Sequence, residues 1–217
     1  INLMTTTLHD ILATQAKIEN IKNNSDQLHV VADFDATLTQ YFDHEGKTRP
    51  SVISILRDEW ILGPEYTKEA NELYLKHGPV EYNMDMSFAD RCASNIERWT
   101  KHKKLLQHFR LHQKHIDQLI DLDKIVMRPG TDALLKKCYE KNIPVLIFSA
   151  SGIGINAIHK LLEKRWLYLP NIYIISNEIY WDQDGYMSGY STPTIHSLNK
   201  IESVIRDNPE YQVLQDI

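Results

Sequence analysis

With 217 residues, 42% of them hydrophobic and 24% charged, the chain is long enough for one sizeable core or a core with an insertion, and its composition is that of an ordinary globular protein. A formal net charge of −5 argues against a general nucleic-acid binder, which calls for a basic domain, but leaves room for a small anion held in one cationic pocket. Two cysteines, Cys92 and Cys138, offer neither a disulfide framework nor zinc spacing, so a reducing, cytoplasmic setting is expected.

From about Thr5 to Asn24, Leu8, Ile11, Leu12, Ile18 and Ile21 recur at helical spacing and predict an amphipathic helix. The start at Ile1 lacks the charged and apolar pattern of a signal peptide, and a chain opening on Ile is expected to be part of a longer gene product. A short apolar run, Leu28–Ala32, predicts a strand buried on both faces, ending in "DFDATLT". From Ser51 to Asp123 the pattern is almost wholly helical, punctuated by Pro64 and Gly78-Pro79. Then Arg128–Asn142 reads as a helix, "IPVLIFSAS" (143–151) as a strand, Gly152–Trp166 as a helix and "IYIIS" (172–176) as a strand. Asp184-Gly185 sits between strand residues as a hairpin turn, and a last helix opens after Pro193, over Thr194–Arg206. No run of 18 apolar residues predicts a membrane span.

Strands alternating with helices predict an α/β fold with a parallel sheet, and the helical block between the first two strands is too long for a crossover, so it reads as an inserted cap. In such sheets ligands sit at the carboxyl ends of the strands, where Asp33, Asp35 and Ser149 all fall. Two carboxylates one residue apart repel unless a cation or a proton sits between them. A hard divalent cation such as Mg2+, which also recruits phosphate, answers that need. One carboxylate could then attack phosphorus while the other handles the leaving-group proton. Ser149 would bond a phosphoryl oxygen, Gly152 and Gly154 would let backbone N–H groups approach it, and Lys200 is a candidate to offset its charge.

These residues carry a resemblance. "DFDATLT" and "FSAS" are similar to the first two motifs of the haloacid dehalogenase superfamily. "IERWTKHKKLL", "PVLIFSAS", "SNEIYWDQDGYMSGY" and "TIHSLNK" resemble, in order and spacing, the cytosolic 5′-nucleotidase III family of pyrimidine nucleotidases, from about Leu28 to the end. The resemblance implies a Rossmann-like parallel-sheet core of the haloacid dehalogenase type (residues 1–45 and 124–217) with an inserted helical cap (46–123), and Mg2+-dependent hydrolysis of nucleoside 5′-monophosphates. It implies Asp33 as the nucleophile that becomes an aspartyl-phosphate and Asp35 as acid and then base. Magnesium would be held by the Asp33 carboxylate and the Asp35 main-chain carbonyl. Ser149, Ala150 and Lys200 would hold the phosphate, Glu81 would recognise the base, and Trp99 would stack on it. His102 stands where the family has a small polar residue near the substrate, and "FSASGIG" has an extra small residue. The family pattern continues into a strand ending Gly-Asp-x-x-x-Asp, which supplies a further magnesium carboxylate and is expected beyond Ile217.

The expected partner is therefore a nucleoside monophosphate, met by a monomer, with no nucleic acid polymer and no membrane. The alternatives are a phosphatase for another small phosphomonoester, such as a methylated purine nucleotide, or a truncated relative that binds nucleotide or protein without turnover. His108, His112 and His115 fall on one helix face if the helix runs through them, and are read as a solvated His/Lys face rather than a metal site. Trp166 and Trp181 are expected in cores or at seams.

Overall fold

The computed structural model describes residues 11–24 and 28–207. Thr5, Leu8 and residues 208–217 lie outside that range. Within it, the leading pattern becomes α1 (Ile11–Asn23), whose apolar Ile11, Leu12, Ile18 and Ile21 are exposed and none of whose residues is buried.

Three strands form a parallel sheet in the order β1 (Val30–Ala32), β2 (Val145–Phe148), β3 (Ile172–Ile175). Val30 pairs with Val145, and Val145 with Ile172, so the strand ends that follow Ala32, Phe148 and Ile175 emerge side by side. All four β2 side chains are buried, as an unbroken Val-Leu-Ile-Phe run requires. Alternation sorts them: Val145 and Ile147 enter the main core, while Leu146 and Phe148 join Ile175 and Ile195 on the other face. β1 departs from the expectation of two buried faces. Val30 and Ala32 pack on the main core, but Val31, on the opposite face, is 50% exposed.

Between β1 and β2 run α2 (Val52–Asp58), α3 (Pro64–Glu81), α4 (Phe88–His108), α5 (Gln113–Asp121) and α6 (Thr131–Glu140). Pro64 opens α3 behind Gly63, as its fixed φ favours. Gly78-Pro79 does not break α3: the helix runs through Pro79, the third residue from its end, and gives up one i→i−4 hydrogen bond there. α3 and α4 pack along each other. α5, inside the span assigned to the cap, instead packs on α7 (Gly154–Lys164), where Lys164 pairs with Asp121 at 3.0 Å. The long charged stretch is not one helix either. Arg110, at φ 53, ends α4, and His112 caps α5 by accepting a hydrogen bond from the Lys114 N–H, so His108, His112 and His115 do not share a face.

β4 (Ile179–Trp181) and β5 (Met187–Tyr190) form the expected hairpin, with Asp182 accepting from the N–H groups of Asp184 and Tyr186 and Gly185 at φ 82. The helix expected over 194–206 splits into a single turn, Ser197–Asn199, and α8 (Glu202–Arg206), because Asn199 turns back to accept from the His196 N–H and donate to the Thr194 carbonyl. Lys200 occupies the extended gap. Trp181 packs against the core as expected, but Trp166 does not: it follows α7 at φ 57 and is 87% exposed.

Candidate active site

The floor of the site is built by backbone. As the chain leaves β1, Asp33 and Asp35 flank buried Phe34, and the turn is closed by Thr39, which donates its N–H to the Phe34 carbonyl and accepts the Ala36 N–H at 2.9 Å. Ala36 stands at φ 63, a left-handed conformation unusual for a residue with a Cβ. Arg128, from the loop before α6, holds the turn from outside by donating to the carbonyls of Ala36 and Thr37 at 2.6 and 2.7 Å. The Val52 N–H at the start of α2 donates to Asp35 Oδ1 at 3.0 Å. Lys200 Nζ lies 2.8 Å from Asp33 Oδ1. One of the two adjacent negative charges is thus matched.

The other is not. Burial raises the Asp35 pKa from its ordinary value to about 6, with the Val52 N–H working against burial, Asp33 adding to it and Lys200 opposing. A carboxyl near 6 holds or yields a proton close to neutral pH, as acid–base work requires.

Ser149 follows β2 and is buried, its N–H given to the Ile175 carbonyl and its Oγ accepting the Ser151 N–H at 3.2 Å. Ser151 Oγ is buried without a partner among the described residues, and Ser151 lines the same cleft as the two carboxylates. The second serine of "FSAS" was the sequence signal for it. Asn177, directly after β3, holds this loop by donating to the carbonyls of Ser151 and Ile195, and accepts the Ile195 N–H. That also carries the chain toward Lys200. Nothing in the sequence distinguished Asn177 from a turn residue.

The roof comes from α3 and α4. A cleft of about 280 Å3 gathers Asp33, Asp35, Glu81, Trp99, Ser149, Ala150 and Lys200, together with Tyr74, Asn95, Arg98 and Ser151. Arg98 was not anticipated. Its guanidinium lies 5.2 Å from the ring centres of both Tyr74 and Trp99 and 3.4 Å from Glu81 Oε2. Trp99 in turn lies over the floor: a Cβ at Gly152 would come within 2.3 Å of its ring. Gly152 and Gly154 pack closely against Trp99 and Ser176 respectively, where a Cβ would clash.

His102 needs a correction. It does not line this cleft but a small void behind Trp99, where its Nε2 and the Tyr66 hydroxyl share a hydrogen bond at 2.9 Å. Burial lowers its pKa to about 3, so it stays neutral. A larger cavity of about 880 Å3 lies beyond Arg128, beside Tyr41, Phe42 and Arg49. Of the residues singled out from the sequence it touches none, and its Asp43 carboxylate is spent on the N–H groups of its own loop. The residues singled out from the sequence gather in the smaller cleft.

Comparison with known proteins gives the same direction. The family model "Pyrimidine 5'-nucleotidase (UMPH-1)" matches residues 36–217. The 7-methylguanosine phosphate-specific 5′-nucleotidase of Mus musculus is 30% identical over 195 residues, covering 90% of this chain and 64% of the relative. The chain thus spans under two thirds of that relative's length. The crystal structure of cytosolic 5′-nucleotidase IIIB bound to cytidine superposes with a TM-score of 0.77 at 29% identity, over 97% of this chain and 73% of the other. A haloacid dehalogenase family hydrolase from Salmonella enterica serovar Typhi, 12% identical with a TM-score of 0.51 over 91% of this chain and 60% of its own, shares the fold.

Proposed function

The chain belongs to the pyrimidine 5′-nucleotidase (UMPH-1) family and has the haloacid dehalogenase fold, and from that premise we propose that it hydrolyses pyrimidine nucleoside 5′-monophosphates to nucleoside and phosphate. The observation that carries this reading is Lys200 Nζ at 2.8 Å from Asp33, beside an Asp35 that keeps its proton to about pH 6.

Asp33 attacks phosphorus through a carboxylate oxygen, and the bond to the nucleoside 5′-oxygen breaks. Asp35 gives its proton to that leaving oxygen. The same carboxylate then takes a proton from water, whose oxygen attacks the aspartyl-phosphate and returns Asp33 and free phosphate. Lys200, Ser149 and Ser151 offset and bond the phosphoryl oxygens throughout. The Asp33 carboxylate and the Asp35 carbonyl would hold Mg2+. That donor set fits a cation that commonly takes one or two carboxylates and completes its shell with phosphate and water. Among the described residues no group of three or more His, Cys, Asp or Glu offers a competing metal centre. When bound, magnesium neutralises charge on the phosphoryl group. Glu81 and Trp99 face the same cleft, where a base would lie. A cytosolic setting belongs to this reading, since the cytidine-bound relative is cytosolic by name. So do a monomer and a small nucleotide as partner.

The test is phosphate release from CMP, UMP and AMP by the chain, with and without Mg2+. Release from CMP or UMP above AMP, lost in Asp33→Asn by about 10³-fold or more, is expected. Undiminished release in Asp33→Asn would sink the mechanism, and nucleotide binding with no release would favour a binding protein. A second reading, hydrolysis of a 7-methylguanosine phosphate, has the name of the mouse relative in its favour.

A further inference from the structure

Arg98 is a charged group in the cleft that the proposed reaction leaves without a task. Its surroundings restrict what it can do. The guanidinium and the Glu81 carboxylate are both largely withdrawn from water, with 16% and 12% of their side chains exposed. Separating such a pair is unfavourable, so a ligand is expected to join it rather than displace one member. The guanidinium also lies over the Trp99 ring, the flat surface on which a base would stack. A second guanidinium, Arg57, lies 4.8 Å from the Tyr74 ring, but it is paired with Asp58 at 2.7 Å, so the charge facing the cleft from this side is that of Arg98. Behind Trp99, His102 is neutral and contributes no charge.

We infer that Arg98 sets base preference: beside Glu81 it admits neutral bases that present an acceptor next to an N–H donor, as cytosine does with N3 and its 4-amino group and uracil with a carbonyl and N3–H, and turns away bases that carry positive charge. The reasoning is electrostatic. A guanidinium donates to a carbonyl oxygen or an unprotonated ring nitrogen, and the carboxylate accepts from the neighbouring N–H, so the pair reads both at once. A guanine alkylated at N7 is a cation. Glu81 alone would attract it, but with Arg98 already matched to that carboxylate the attraction is cancelled, and two like charges meet over one ring in a partly dry cleft. This inference rests on the nucleotidase reading for the cleft being a base site, and it decides between the two substrates left above.

The measurement is calorimetric binding of cytidine and of 7-methylguanosine, which carry no phosphate and so report the roof alone. Cytidine is expected to bind at least about tenfold more tightly to the parent chain, with the preference reduced by about tenfold in Arg98→Gln and kept in Arg98→Lys. Equal or tighter binding of 7-methylguanosine to the parent, or no binding of either nucleoside, overturns the inference without any variant. An unchanged preference in a folded Arg98→Gln does so as well. Phosphate release from CMP is read separately. Its absence alongside the expected order of nucleoside binding would discard the hydrolase and keep the base selection.

Discussion

The floor and the roof of the cleft are held by different forces. The floor is fixed largely by main chain: β1, β2 and β3 set three exits in register, and the Phe34–Thr39 turn closes within six residues through the Thr39 N–H and hydroxyl. The roof is fixed by side chains of two helices packed on one another, with Arg98 between Tyr74 and Trp99 and the Tyr66–His102 hydrogen bond behind them. A floor of this kind tolerates changes in its surroundings but not in its turn. In the roof, a single altered volume is transmitted to the next ring.

The place where the two meet gives the largest expected effect. Gly152 belongs to the floor and lies against Trp99 of the roof, so Gly152→Val is expected to destabilise the chain by about 3 kcal/mol in denaturant unfolding and to abolish nucleoside binding. Unchanged stability with unchanged binding would mean that floor and roof are independent. Next comes Arg128, which touches only the floor. Arg128→Gln frees the carbonyls of Ala36 and Thr37, and kcat should fall about tenfold while nucleoside affinity stays as it was. An equal loss of nucleoside affinity would contradict the division.

The smallest effects separate the two regions by pH in metal-free buffer. Asp35 has a folded pKa near 6, above its unfolded value of 3.8, so its contribution to stability is complete below 3.8 and is lost as pH rises through 6. His102 runs the other way: its folded value of about 3 lies below 6.5, so its contribution is complete above 6.5 and is lost as the pH falls toward 3. Relative to the parent, Asp35→Asn should gain melting temperature from pH 5 to pH 8 and His102→Gln should lose it, each by roughly 4 °C. Shifts of the same sign would show that the regions do not differ in this way.

The contrast also accounts for what was legible in the sequence. Asp33, Asp35 and Ser149 could be placed because each follows its own apolar run, and strand ends gather in a parallel sheet. The residue partnering Asp33 could not be found by spacing, since Lys200 is 167 positions away and reaches it only because the final helix is broken at Asn199. Glu81 and Trp99 were reachable through the resemblance alone. Arg98, adjacent to Trp99, reads on sequence as one more solvated helical charge, and its burial depends on Tyr74 from a different helix. His102 was misplaced for the same reason: its direction is set by Tyr66, 36 residues earlier. The histidine face and Trp166 failed on backbone instead, where left-handed residues at Arg110 and Trp166 ended helices that periodicity would have continued.

One feature of α4 has mechanical implications. Toward its C-terminal end it is fastened to the rest of the chain by Lys103, which reaches Thr194 and the Tyr190 ring, and by the strand-like contact between Leu111 and Met187 just beyond. Its N-terminal end lies near Phe88, Met84 and Tyr82, which are exposed, and among the described residues has no hydrogen bond to the floor comparable to that of Lys103. Relative to the floor, α3 and α4 together form a cantilever clamped at one end, the far end being tied within the pair by Arg91 on the Glu81 carbonyl and by His77 with Ser94. Under load, a beam of this kind deflects least near its clamp and most at its tip. Trp99 sits near the clamp and the loop beyond Glu81 near the tip, so the mouth of the cleft could widen to pass a ligand while the stacking surface hardly moves.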